Sequence, residues 1–213
     1  MASLTRRSSS SSILVLDGLV CMRERAPPKN KGDRPAAERA RLIAGGYQRE
    51  LFARAKGGIV IACVDTGSGK TLVAAMLVDY VYQLENARPV TLTVESRRQK
   101  IALFLVNLVP LAHKQPAFLN ANISAKVKVL YDEIDTGHSS RQYWQTVFEE
   151  GIGVVVSTVQ CVLNAVIRVY LNLQDTSLLV FEEAHHAVGN HAYARIMEYY
   201  RLLAPLESPK ILA

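Results

Sequence analysis

Residues 59–71 read IVIACVDTGSGKT, an apolar β-branched run followed by a loop with two glycines, a lysine and a threonine. The apolar run predicts a buried strand, and the apolar residues after position 71 predict a helix. Gly67 and Gly69 allow a tight turn that aims backbone N–H groups at phosphate oxygens, beside the positive end of that helix. Lys70 supplies a charge for the outer phosphates, and the Thr71 hydroxyl is placed to ligate Mg²⁺. The stretch therefore predicts a phosphate-binding loop.

The same loop has a second interpretation. The general phosphate-loop pattern has glycine where this chain has Val64, and residues 64–68 also look like an aspartic-protease loop, with the triplet repeated at 135–137. Two aspartates that share a proton could activate water. A protease of that kind would be an all-β protein, however, whereas the chain after Thr71 is helical in pattern. The lysine at position 70 further favours the phosphate loop.

Strand and helix patterns alternate along the rest of the chain. The predicted strands are Ile59–Cys63, Ile101–Val106, Val127–Tyr131, Gly153–Ser157, Leu178–Phe181 and Ile211–Leu212. The predicted helices are Thr71–Leu84, Leu111–Leu119, Arg141–Glu150, Val159–Tyr170 and His191–Leu203. The strands are apolar on both faces, as in a parallel sheet that helices cover on both sides. We therefore expect an α/β fold with a doubly wound, mostly parallel sheet, and a short extra strand within the polar segment 85–100.

The basic charge of the chain is concentrated at its start. The net charge is +6, and residues 1–46 contain nine Lys/Arg and four Asp/Glu. A serine run and a Pro/Lys/Gly-rich segment in this range are poor material for a core, so we expect a disordered basic leader over 1–46 and one domain over 47–213. Residues 13–21 could instead be the apolar part of a signal peptide, but Asp17 interrupts it; a transit peptide is a second alternative.

Composition also bears on the compartment. The longest apolar stretch, 101–112, is broken by Asn107 and Pro110 and is shorter than the ~20 residues that a membrane helix needs. The three cysteines have no paired spacing, so neither a disulfide framework nor a thiolate metal site is suggested. We expect a protein without a membrane span, in the cytoplasm or the nucleus.

An acidic box follows the predicted strand 178–181: Glu182 and Glu183, then Ala184, His185 and His186. In nucleotide hydrolases, one carboxylate at a strand end holds Mg²⁺ and a second polarises the attacking water. An ordinary charged turn is the alternative. A zinc cluster of the box histidines with His191 is disfavoured, because adjacent histidines rarely ligate one metal.

Together these motifs resemble the superfamily-2 helicases, and most closely the amino-terminal helicase domain of Dicer-like proteins. The matching segments are Tyr47-Gln48-Arg49-Glu50-Leu51 (Q-motif region), Asp65-Thr66-Gly67-Ser68-Gly69-Lys70-Thr71 (motif I), Phe104-Leu105-Val106 with Val109-Pro110-Leu111 (motif Ia), Val154-Val155-Val156-Ser157-Thr158, and Glu182-Glu183-Ala184-His185-His186 with His191–Met197 (motif II and its sequel). The resemblance covers residues 47–213, and their order and spacing agree.

The resemblance implies a RecA-like P-loop NTPase domain that binds ATP with Mg²⁺. Gln48 would read adenine, and Glu183 would orient water. The triphosphate would be held by Thr66, Gly67, Ser68, Gly69, Lys70 and Thr71, and Mg²⁺ by Thr71 and Glu182. His185 would link the nucleotide site to the nucleic-acid site, which Pro110, Ser157 and Thr158 would contact.

Two features depart from the family. The family usually has aspartate where this chain has Glu182, so we expect Glu182→Asp to raise hydrolysis by restoring the spacing to the metal. Residues 209–213 look like the strand before motif III, which predicts a chain that lacks the second RecA-like domain, whose arginines stabilise the transferred phosphoryl group. Such a fragment should bind ATP weakly and turn it over poorly.

The resemblance indicates an ATP-dependent helicase module that acts on double-stranded RNA in RNA silencing. One alternative is a non-catalytic module of the same fold that binds ATP or RNA and regulates a partner. Another is a P-loop kinase or transport ATPase, which is disfavoured because those enzymes do not need Gln48 or the acidic box. Finally, Tyr143, Trp144 and Phe148 have near-helical spacing, which favours a packing stripe over a base-stacking platform.

Overall fold

The computed structural model describes residues 44–64, 69–87, 99–130, 141–205 and 207–213, together with two strands at 11–16 and 19–24. The helices are α1 (Gly46–Gly57), α2 (Lys70–Asn86), α3 (Val109–Asn122), α4 (Arg141–Glu149), α5 (Val159–Ile167) and α6 (Ala192–Arg201). The strands are β1 (Ser11–Leu16), β2 (Leu19–Glu24), β3 (Val60–Val64), β4 (Ile101–Val106), β5 (Val127–Leu130), β6 (Val154–Thr158), β7 (Thr176–Phe181) and β8 (Lys210–Leu212). Two 3-10 turns, Leu173–Asp175 and Ala184–His186, flank β7.

The centre of the molecule is a parallel sheet with the strand order β3-β8-β7-β4-β6-β5. Each neighbouring pair in this order is parallel, and β4 lies in the middle, where Phe104 is paired with Val156 of β6 and Val180 of β7. The chain crosses from strand to strand through helices, as a parallel sheet requires. The predicted mostly parallel α/β architecture is confirmed.

Alternate residues of β4 separate the core into two halves. Ala102, Phe104 and Val106 pack in a cluster with residues of α1, α2 and α3, whereas Ile101, Leu103 and Leu105 pack with residues of α4, α5 and α6. Because side chains alternate across a strand, the two clusters lie on opposite faces of the sheet. Helices thus cover both faces, which is the doubly wound arrangement that the sequence predicts.

The aromatic residues of α4 belong to the second of these clusters. Trp144 is 1% exposed, and Tyr143 and Phe148 pack against the same buried side chains. Burial raises the pKa of Tyr143 to about 12. The interpretation of this stripe as part of the core is confirmed.

Part of the predicted leader takes up regular structure. β1 and β2 pair antiparallel, and β2 runs parallel to β3, so that the two strands extend one edge of the sheet. The apolar runs at 13–16 and 19–22 suit strands. The expectation of a disordered leader over 1–46 stays a prediction. The other positions up to 43 lie outside the described residues.

Other differences concern the ends of elements. Helix α1 is not among the predicted helices, because it buries only Leu51 and Ala55 and so has little apolar periodicity. Helix α5 ends at Ile167 rather than at 170, and Val169 has a φ of 56°, which a helix cannot contain. The extra strand expected at 90–94 and the triplet at 135–137 lie outside the described residues.

Candidate nucleotide site

The predicted site residues gather at one edge of the sheet. β3, β4 and β7 are parallel, so their carboxyl ends meet at the same edge. Lys70 begins the helix that follows β3, Glu182 follows β7 directly, and Pro110 lies in the first turn of the helix that follows β4. Ligands of open α/β sheets bind at this edge.

Gly69 forms the junction between the phosphate loop and α2. It has a φ of 90°, and its carbonyl accepts the first hydrogen bonds of the helix from the N–H groups of Leu72 and Val73. A Cβ at this position would also collide with Nε2 of Gln48. The left-handed backbone therefore favours glycine at this position, and a larger residue would also displace the end of the Gln48 side chain. Thr66, Gly67 and Ser68 lie outside the described residues, so their phosphate-binding roles stay predictions.

Gln48 lies in the first turn of α1 and connects that helix to the phosphate loop. Its Oε1 accepts a hydrogen bond from the N–H of Gly45 at 2.7 Å, and its Nε2 lies 3.4 Å from the hydroxyl of Tyr47 and close to Gly69. In this structure the carboxamide oxygen thus caps the amino end of α1. The adenine-reading role of Gln48 stays a prediction.

Glu182 is held at the end of β7 by hydrogen bonds to two other elements. Its backbone N–H donates to the carbonyl of Leu105 at 2.9 Å, and its Oε1 accepts from Nε2 of Gln115 at 2.6 Å. Its Oε2 is buried and has no partner among the residues that the structure describes. Burial raises the pKa of Glu182, while the amide of Gln115 and the positive charge of Lys70 lower it. The carboxylate is thus desolvated and lies in the field of the phosphate-loop lysine.

The unpaired Oε2 of Glu182 is suited to bind Mg²⁺. A buried carboxylate oxygen costs free energy unless it is paired, and Mg²⁺ binds to one or two carboxylates together with phosphate oxygens and water. Thr71 lies half-buried in the first turn of α2 and carries the hydroxyl that phosphate loops use as a second ligand. Glu182 and Thr71 are therefore the residues that would hold the ion.

Glu183 has a strained backbone conformation beside Glu182. Its φ of 56° and ψ of 46° place it in the left-handed region, which is unfavourable for residues other than glycine by ~1–2 kcal/mol. One carboxylate oxygen lies 3.3 Å from Nδ1 of His185, and the side chain of Glu183 is 34% exposed. Strain of this kind concentrates at functional sites. Glu182 is bonded to Gln115 whereas Glu183 lies beside His185, so the two acids of the box have different surroundings.

The chain resembles known proteins over most of its length. Residues 46–213 match the family described as DEAD/DEAH box helicase. The chain belongs to the DEAD/DEAH box helicase family. It is 40% identical over 169 residues to Dicer-like protein 1 of Pyricularia oryzae and 38% identical over 171 residues to that of Neurospora crassa, in each case over 78% of this chain and 10% of the relative. The chain thus spans about a tenth of the length of these relatives.

A solved structure agrees with the family. The Hef helicase domain of Pyrococcus furiosus superposes with a TM-score of 0.60 and 26% sequence identity, over 78% of this chain and 31% of that one. The resemblance to helicase ATP-binding domains of the Dicer-like kind is confirmed. The helicase family also excludes the kinase, transport ATPase and aspartic-protease alternatives.

Two residues of this helicase domain were not predicted from the sequence. Gln115 bonds to Glu182 from α3, and Tyr193 of α6 places its hydroxyl 2.7 Å from the carbonyl of Glu182 and 3.1 Å from that of Leu105. Gln115 is a polar residue on the buried side of α3, which is a signal that sequence analysis could have used. Tyr193 lies in the segment His191–Met197 that resembles the family, but the resemblance assigns no role to its hydroxyl.

The residues expected to touch nucleic acid are not brought to one surface of the helicase domain. Pro110 is exposed, as a contact requires. Ser157 is 0% and Thr158 8% exposed, and their hydroxyls donate to the carbonyl of Thr158 and the sulfur of Cys161. The expectation that Ser157 and Thr158 offer side chains to nucleic acid is therefore not met in this structure, because both hydroxyls are used inside the core.

Histidines of the box stack on one another instead of pointing at a common centre. The ring centroids of His185 and His186 are 4.2 Å apart, and those of His186 and His191 are 6.4 Å apart. His191 also caps α6, because its Nδ1 accepts a hydrogen bond from the N–H of Tyr193. Over the described ranges, no group of three potential ligands is placed to hold a metal ion, and no helix is long and apolar enough to cross a membrane.

Proposed function

We propose that this domain binds ATP with Mg²⁺ and hydrolyses it in response to double-stranded RNA. The observation that carries the proposal is the meeting of Lys70, Thr71, Glu182 and Glu183 at one sheet edge, with a buried carboxylate oxygen of Glu182 left unpaired. In a helicase fold these are the groups needed to hold a triphosphate, a metal ion and a water molecule.

Each residue would act on a different part of the nucleotide. The ammonium of Lys70 and the N–H groups at the start of α2 bind the outer phosphates, and the carboxamide of Gln48 contacts the adenine. When bound, Mg²⁺ neutralises charge on the phosphate oxygens. Glu183, whose side chain is 34% exposed, orients the attacking water, and His185 beside it transmits the occupancy of the site.

The RNA part of the proposal rests on the relatives and on one surface. The similar proteins are named Dicer-like protein 1, and we infer from them that this domain acts on double-stranded RNA in RNA silencing. The exposed start of α3, with Pro110, His113 and Lys114, offers the positive charge of Lys114 to a phosphate backbone. A second RecA-like domain would close the cleft and supply the arginines that transition-state stabilisation needs.

A regulatory ATP- or RNA-binding module is the second candidate. It is favoured by the glutamate at 182, because one oxygen of this carboxylate is hydrogen-bonded to Gln115 and only the other has no partner among the described residues and could bind a metal. The two candidates share nucleotide binding and differ in turnover.

The proposal is tested by ATP binding and by phosphate release. Lys70→Ala should weaken binding of Mg²⁺–ATP about 100-fold in calorimetry, since a hydrogen bond to a charged group contributes ~1.5–3 kcal/mol. Arg201→Ala, which removes an exposed charge at the end of α6, is the matched control and should bind normally. Equal affinities of Lys70→Ala and the unaltered chain would overturn the nucleotide site. Phosphate release stimulated by double-stranded RNA supports the enzyme, and binding without release favours the regulatory module.

A further inference from the structure

We propose that Gln115 is a positioning residue for Mg²⁺: it holds one oxygen of Glu182 so that the other faces the metal. This inference rests on the proposed function and adds to it a residue outside the motifs that define the site. It starts from the hydrogen bond of 2.6 Å between Nε2 of Gln115 and Oε1 of Glu182.

The donor is held rigidly by the packing of α3. Ala112, Gln115 and Leu119 are the buried residues of this helix, and their spacing of three and four places them on one face. Ala112 and Leu119 are both 0% exposed in the core beneath the sheet. Gln115, at 8% exposure, therefore lies between two anchored turns on the buried face of the helix, where its amide is bonded to Glu182.

The acceptor is fixed from the other side. The N–H of Glu182 is bonded to Leu105, and its carbonyl accepts from Tyr193, so the backbone at the end of β7 has little freedom. With both backbone and Oε1 held, only one orientation of the carboxylate remains, and it leaves Oε2 without a partner among the described residues. An oriented, desolvated oxygen is what a metal site needs from the groups around its ligands.

This arrangement explains why glutamate serves at a position where the family usually has aspartate. The additional methylene lets the carboxylate reach Gln115 with one oxygen while the other stays at the edge of the sheet. An aspartate is shorter and would have to give up the amide of Gln115, leaving a buried donor unpaired. The sequence alone predicts that Glu182→Asp improves the site, whereas the hydrogen bond predicts that it weakens the site.

The test compares ATP affinity with Mg²⁺ and with EDTA in the full chain, measured by calorimetry. The ratio of the two affinities reports the contribution of the metal and does not change if a substitution only loosens the fold. Gln115→Met keeps the length and the apolar contacts of the side chain and removes the amide. We expect it to lower the ratio about 10-fold or more, as is usual for groups that orient a metal ligand. Gln145→Met, on the exposed side of α4, should leave the ratio unchanged.

The double variant separates positioning from packing. If Gln115 acts only through Glu182, then Glu182→Asp should lower the ratio as well, and Gln115→Met added to it should lower it no further. A normal ratio in Gln115→Met, with thermal unfolding unchanged, would overturn the inference and leave the nucleotide site intact. If instead Mg²⁺ does not raise the ATP affinity of the unaltered chain, the proposed function itself fails, and with it the role of Gln115.

Discussion

The hydroxyl of Tyr193 lies 2.7 Å from the carbonyl oxygen of Glu182 and 3.1 Å from that of Leu105. One side chain from the first turn of α6 therefore joins the carboxyl ends of β7 and β4. The ring packs edge-on against Phe181, with centroids 5.1 Å apart. Burial raises the pKa of Tyr193, so the hydroxyl remains a donor well into the alkaline range.

Tyr193→Phe should destabilise the domain by ~1–2 kcal/mol, because the carbonyl of Glu182 loses its donor while the ring contacts remain. The raised pKa gives the effect a pH dependence. When the pH exceeds the ordinary tyrosine pKa of 10.0, Tyr193 ionises in the unfolded chain but stays protonated in the native one. The free energy of unfolding of the unaltered chain therefore falls as the pH rises, whereas that of Tyr193→Phe has no such contribution. Urea unfolding should show a difference in unfolding free energy between the two proteins at pH 8 and a smaller difference above pH 10. Tyr200→Phe, at the other end of α6, serves as the control. A difference in unfolding free energy between the unaltered chain and Tyr193→Phe that grows with pH would contradict the prediction.

Gly69→Ala should abolish ATP binding and lower stability. An alanine at a φ of 90° is strained by ~1–2 kcal/mol, and its Cβ would displace the side chain of Gln48. Calorimetry and thermal unfolding measure the two effects.

Gly57→Ala is the matched control, since nothing lies within 4 Å of a Cβ there and the residue ends α1. It should leave ATP affinity unchanged and stabilise the helix by up to ~1 kcal/mol. If Gly69→Ala behaved like Gly57→Ala, the junction between the phosphate loop and α2 would not depend on glycine.

Glu183→Gln should preserve ATP binding and stop turnover, because the amide keeps the shape of the side chain but cannot polarise water. The measurement is steady-state phosphate release, with and without double-stranded RNA, beside the affinity for Mg²⁺–ATP. Glu198→Gln, an exposed acid on α6, should release phosphate at the normal rate. An unchanged rate in Glu183→Gln would remove this residue from the catalytic assignment.

Ser157→Ala should leave the affinity for double-stranded RNA unchanged, because its hydroxyl is fully buried and bonds to the chain itself. Lys114→Ala, on the exposed side of α3, should weaken binding and make it less dependent on salt, as loss of one phosphate contact does. Titrations of a labelled RNA duplex at two salt concentrations measure both. A larger loss in Ser157→Ala than in Lys114→Ala would indicate that the end of β6 opens when RNA binds.

Local patterns in the sequence were sufficient for the central parallel sheet, whereas they did not predict helix α1. Runs of residues that are apolar on both faces predict strands covered on two sides, and the six strands β3 to β8 lie where those runs occur. The junction at Gly69, with Lys70 and Thr71 after it, and the pair Glu182 and Glu183 were also evident, because each motif lies within a few residues of a strand end. Such features depend on neighbours in the chain, so the order of residues determines them.

Contacts between distant residues were decided only by the tertiary structure. Gln115 and Glu182 are 67 positions apart, and Tyr193 and Leu105 are 88 apart, so no local pattern indicates that they meet. The burial of Ser157 and Thr158 likewise depends on how α5 packs over the end of β6. The sequence by itself determined which chemical groups stand at the ends of the strands. Packing of the helices against the sheet decided which of those groups are hydrogen-bonded, which are buried and which oxygen of Glu182 remains for a metal. These properties depend on distances between elements, which the order of residues in the chain does not specify.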